Sequence, residues 1–158
     1  MTDKLETTAS ISSEQPSPVE EIAPGLTREW MFDHQIVVFK ISTIARPVVD
    51  AWIDLVKLTM ENWPGNLPYL AIHDMTSDKV SLTPYARSRA EELIPLSAKA
   101  PGYAAIVLPR SFVAQVIRLF MRTQRRQGNQ NALFFTMPEA LAWLTPKMRK
   151  LPPTNQGH

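Results

Sequence analysis

Three short stretches of this chain hold the residues that could do chemistry. His73-Asp74 sets an imidazole beside a carboxylate, the pairing used in general acid–base work. The couple stands inside an apolar, β-branched run, and neighbours on a strand point to opposite faces. His34 falls in an expected turn and His158 in the terminal segment, so no third group is placed to orient His73 against a nucleophile. There is no His-x-x-x-His spacing, no glycine-rich phosphate loop and no cysteine, which leaves out thiolate chemistry, disulfides and cysteine–zinc sites. No catalytic residue, metal ligand or cofactor is assigned, and a binding or regulatory role is favoured over an enzyme.

The second stretch is Asp74, Thr76, Ser77 and Asp78. Its hydroxyls could take a phosphate of about −2 charge at a surface loop, with Arg110 as a guanidinium partner. The same residue types also build ordinary turns through side-chain-to-backbone hydrogen bonds. The third is Arg110 with Arg118, Arg122, Arg125 and Arg126. The last four share one face of an expected helix, and their planar forks suit carboxylate or phosphate on a protein partner or a lipid headgroup. A solvated face with cations near a helix C-terminus is the plainer account. Trp52, Trp63, Trp143, Phe112, Phe120, Phe134 and Phe135 occupy core-like positions and could also line a pocket for an apolar ligand. Nucleic acid is not an expected partner, because the arginine face is not interleaved with exposed aromatics.

The elements that must position these residues alternate along the chain. Leu26–Asp33 reads as a first, mixed strand, and Ile36–Ile41 as a β-branched one, joined by a short turn. Pro47 opens a helix with Val49, Trp52, Ile53, Val56 and Met60 on one stripe, stopped by Asn62-Trp63-Pro64-Gly65. Tyr69–Asp74 is the next strand. Thr83-Pro84 caps a second helix that Pro95 ends or bends. Ala104–Leu108 is a wholly apolar strand, as in sheets covered on both faces. Ser111 caps a third helix ending at Gly128, Ala132–Phe135 is the last strand, and Thr136-Met-Pro-Glu139 is a capping box before a short final helix. The order β-β-α-β-α-β-α-β-α predicts an α/β fold: a single mixed, mostly parallel sheet of about five strands with about four helices.

The 158 residues suit one domain. Residues 1–25 carry Asp3, Glu6, Glu14, Glu20 and Glu21 against Lys4, a net −4 in a chain of +2. With their Ser, Thr and Pro they read as a disordered acidic tail. The α/β domain is expected over 26–145 and a flexible tail over 146–158. No apolar run reaches the roughly 20 residues of a membrane span. Residues 1–21 have neither the basic start nor the apolar stretch of a secretory signal. A cytoplasmic location is therefore expected.

The strand Ala104–Pro109 running into an apolar helix, the strand ending at Asp74, and Phe134-Phe135-Thr136 leading into Glu139-Ala140-Leu141-Ala142-Trp143-Leu144 together resemble the STAS domain. The nearest likeness is to its stand-alone bacterial branch, which also resembles the CRAL-TRIO lipid carriers. Anti-sigma-factor antagonists of that family carry Asp-Ser-Ser-Gly, with a phosphorylated serine, where strand meets helix. Here the region reads His73-Asp74-Met75-Thr76-Ser77-Asp78: the acid and hydroxyls are present, but not the glycine, and the helix start is displaced to Thr83-Pro84. The resemblance implies a protein-interaction module in a partner-switching pathway, with an unidentified protein partner. The alternative it implies is a carrier of a small apolar or anionic ligand. A homodimer is compatible with either, since the first strand could pair within the chain or across two copies.

Overall fold

Residues 18–81, 83–111 and 129–148 are described by the structure, a computed structural model. The strands are β1 (Glu20–Ala23), β2 (Leu26–Met31), β3 (Ile36–Ile41), β4 (Tyr69–Asp74), β5 (Gly102–Val107) and β6 (Asn129–Phe134). The helices are α1 (Arg46–Glu61), α2 (Pro84–Glu91), α3 (Ile94–Ser97) and α4 (Met137–Leu144), the last running into a 3-10 turn over Thr145–Lys147. All six strands form one mixed sheet in the order β1-β2-β3-β4-β5-β6. The first two pairings are antiparallel and the remaining three parallel. The chain is thus an α/β protein built on a single sheet, as its alternation of elements predicted.

The four parallel strands lie side by side in chain order. Crossovers of one hand that step in one direction put their helices on one face. α1, α2 and α3 do pack on the same face, over Leu26, Val37, Phe39, Tyr69 and Ala71. The expected stripe of α1 (Val49, Trp52, Ile53, Val56 and Met60) is buried there throughout. α4 follows β6. It covers the opposite face, where Ala140 and Leu144 meet Val38, Leu70, Ile72, Ala105 and Val107.

Local chemistry sets the helix starts. Thr83 accepts a hydrogen bond from the Ala86 N–H at 3.1 Å, and Thr136 from the Glu139 N–H at 3.4 Å. Each satisfies one of the orphan donors of a first turn. α2 is then fastened to α1 by charge. Arg89 pairs with Asp50 and Asp54, both at 3.0 Å, and with Glu92, while the Tyr85 hydroxyl donates to Asp50.

Two expectations need correction, one at each end of the expected domain. Residues 1–25 are not all tail: Glu20–Ala23 forms an edge strand, with Glu20 opposite Arg28 and their side chains paired at 2.8 Å. Pro24-Gly25 makes the turn between them, with Gly25 at a φ of 94°, a conformation open to glycine. Among the described residues the sheet consequently has six strands and two antiparallel pairs. The segment from 146 is not free at its beginning either. Lys147 donates to the Trp143 carbonyl at 3.0 Å and lies over the Trp143 and Tyr103 rings at 4.4 and 4.9 Å, a favourable cation–π arrangement. The third helix, expected from Ser111 to Gly128, lies outside the described residues beyond Ser111. No helix among the described residues is long and apolar enough to cross a membrane.

Candidate functional site

Parallel sheets commonly bind ligands at the carboxyl ends of their strands, in the crevice where strand order reverses. The order β3-β4-β5-β6 contains no such reversal. An opening exists at that end nonetheless, and α1, α2 and the connecting loops make it. It is a cavity of about 390 Å³. Its floor includes Ile41, Leu108 and Pro109, at the ends of β3 and β5. Val49 and Trp52 of α1 form one wall, and Ala86 and Ala90 of α2 another. The loop after β4 closes it with Met75 and Val80, and Asp78, Ser81 and Ser111 bring polar atoms.

Trp52 links this cavity to His73. The indole N–H donates to His73 Nδ1 at 3.2 Å, and the two rings meet edge to face at 5.6 Å. The Phe39 ring stacks on the other side of the imidazole at 5.3 Å. His73 is 7% exposed, and burial, which penalises the charged form, pushes its pKa from 6.5 down to about 4. The Trp52 donor requires a bare Nδ1, so the neutral ring carries its proton on Nε2. The imidazole that looked like half of an acid–base couple is therefore a neutral acceptor inside the core.

Asp74 points away from it, as strand alternation requires. Its carboxylate accepts from the Thr76 backbone N–H at 3.1 Å and from the Thr76 hydroxyl at 2.7 Å. Ser77 donates to the Ser42 carbonyl at 3.1 Å and accepts from the Lys79 N–H at 3.4 Å. Both hydroxyls thus stabilise the loop's own path, and Ser77 ties it to the β3–α1 connection. Of the four candidates Asp74, Thr76, Ser77 and Asp78, only Asp78 reaches the cavity. Arg110 is exposed, with its guanidinium over the Phe135 ring at 5.0 Å. Arg118, Arg122, Arg125 and Arg126 lie outside the described residues, as do Phe112 and Phe120.

The other expected pocket aromatics divide among three places. Trp52 lines the cavity. Trp63 stacks on Trp30 at 5.8 Å beside a smaller hollow of about 230 Å³ at the opposite end of the sheet. Trp143 packs between Tyr103 and Phe134 on the α4 face. Arg28 also lines the smaller hollow, but its charge is already engaged by Glu20 and its guanidinium lies over Trp30. Reading the sequence missed Ile41, Met75, Val80, Ala86, Ala90 and Leu108 as lining residues. The available signal was Met75 and Val80, apolar residues within a largely polar loop. Among the described residues no group of acidic or histidine side chains is placed to hold a metal ion.

The buried imidazole makes stability depend on pH. The unfolded chain binds a proton near pH 6.5 that the folded chain resists until about 4. Folding stability is therefore full above about pH 6.5 and falls as pH drops toward 4, by about 3 kcal/mol from this group. Urea unfolding of wild type and His73→Gln between pH 7 and 4 checks this. The difference between the two curves should slope only in that window, and parallel curves would refute it.

Comparison with known proteins found no matching family model, no matching curated protein and no matching solved structure.

Proposed function

We propose that this chain is a non-catalytic, STAS-like binding module that holds a small, mainly apolar ligand between α1, α2 and the carboxyl ends of β3–β5. The observation that carries this reading is the cavity of about 390 Å³. Well-packed interiors leave few voids larger than a water molecule, and an apolar cavity of about 150 Å³ already takes benzene. Ligand pockets are mostly apolar with a few polar groups to orient the guest, which is the composition found here. The linear strand order with its leading antiparallel strands also supports the STAS-like resemblance.

The same geometry favours a regulatory use of that ligand. Met75, Asp78, Val80 and Ser81 of the loop after β4 line one wall of the cavity, and the same loop carries Thr76 and Ser77. A guest against Met75 and Val80 alters the surface that this loop offers a protein partner. Direct phosphorylation fits less well. A phosphate on Thr76 would face the Asp74 carboxylate that its hydroxyl now contacts, and one on Ser77 would break the bond to Ser42.

Titration with the uncharged fluorophore N-phenylnaphthylamine tests the reading. Wild type should bind it at a single site and enhance its emission. Ala90→Phe or Met75→Trp, each filling the cavity, should lower affinity by about tenfold or more while thermal unfolding stays cooperative. Unchanged binding in whichever of these variants folds, or no binding by wild type, refutes the cavity as a ligand site.

A further inference from the structure

The cavity is apolar in its depth and polar at one side, and the polar side has a sign. Among its described lining residues Asp78 carries the one charge, with Ser81 and Ser111 as hydroxyl neighbours. Asp78 is exposed and makes no ion pair among the described residues. Two cations stand near in sequence, the exposed Lys79 beside Asp78 and Arg110 between Pro109 and Ser111, and neither is among the lining residues. Arg110 is accounted for elsewhere. Its guanidinium is held over the Phe135 ring rather than in the cavity lining. An anionic head entering here would meet a carboxylate of like charge, and a cationic head would meet its counter-ion.

From this geometry we infer that the ligand is a cationic amphiphile: an apolar body of about the size of two fused rings, seated against Trp52 and Met75, carrying a protonated amine directed at Asp78. The inference rests on the cavity being a ligand site and adds the chemical class of the guest. The apolar body supplies affinity and the amine supplies orientation, the usual division in such pockets. Because Asp78 is solvent-exposed, the charge contribution is modest and sensitive to salt.

The test uses the full chain and naphthalene carrying an ethylamine, an ethanol or an acetate arm, each displacing N-phenylnaphthylamine at low ionic strength. The amine should bind about fivefold or more tightly than the acetate, the range of an exposed ion pair. Asp78→Asn should bring the two within about twofold. The exposed position of Asp78 keeps the fold out of the comparison. If all three arms bind alike in wild type, if the acetate is preferred, or if the preference survives Asp78→Asn, the cationic class is overturned and the cavity stands. If N-phenylnaphthylamine and all three arms fail to bind, the cavity reading falls first and takes this inference with it.

Discussion

Gly102→Ala is expected to unfold this protein, or to destabilise it by at least about 3 kcal/mol, the upper end of overpacking penalties. Gly102 opens β5 opposite Tyr69 in the parallel register. A Cβ there would lie 1.9 Å from the Tyr69 carbonyl oxygen and 2.6 Å from its nitrogen. Those are backbone atoms, so no rotamer change can relieve the contact. The start of β4 and β5 would have to part, and the bond from the Tyr69 N–H to the Pro101 carbonyl, 3.1 Å long, would go with it. β4 is buried along its whole length, so the damage cannot be confined to an edge. Gly65→Ala is the control, because nothing lies within 4 Å of the added methyl. Denaturant midpoints measured side by side decide the matter. A Gly102→Ala midpoint close to that of Gly65→Ala would show that the strands can yield at this point.

Trp52→Ala should cost about 4 kcal/mol of stability. Removing a buried tryptophan ring from a core costs about 3–5 kcal/mol, and His73 Nδ1 would lose its donor in the same step. The two terms overlap, so they do not simply add. Trp52→Phe separates them: most of the apolar volume remains and the donor is lost, for which about 1–2 kcal/mol is expected. Both variants also alter the wall of the cavity, so Trp52→Phe should change the affinity for N-phenylnaphthylamine without abolishing it. Urea unfolding at pH 8, where His73 is neutral in both states, gives the comparison. A loss under about 1 kcal/mol for Trp52→Ala would mean that the indole is not integral to the core.

These two positions differ in how far the sequence announces them. Trp52 sits on a helical stripe with Val49, Ile53, Val56 and Met60, and the 3.6-residue period alone marks it as inward-facing. Gly102 follows Pro101 and reads as ordinary loop punctuation. Its need for glycine exists only because Tyr69, 33 positions earlier, is its parallel neighbour. β1 shows the same division. Glu20-Glu21-Ile22-Ala23 has no apolar period to mark a strand. The pairing with β2, the Pro24-Gly25 turn and the Arg28–Glu20 contact make it one.

The candidate site was legible to the same depth. The interactions of Asp74, Thr76 and Ser77 with near neighbours follow from short polar side chains that bond backbone groups two residues away. The opposite orientations of His73 and Asp74 follow from strand alternation. The cavity was not legible, because its lining comes from β3, α1, the β4–α2 loop, α2 and the segment after β5. No spacing within any one of these implies an empty volume among them.

The class of the fold, the buried stripe of α1, the caps at Thr83 and Thr136 and the lack of any thiol were readable from the residues alone. All of these depend on residues within a turn or two of one another, or on composition alone. Three-dimensional packing was needed to reveal that His73 is a buried acceptor for Trp52, that Asp78 alone of its loop's four candidates lines a cavity, and that Gly102 must be glycine. Each of those depends on the packing of segments distant in the chain, and local propensity carries no information about which segments meet.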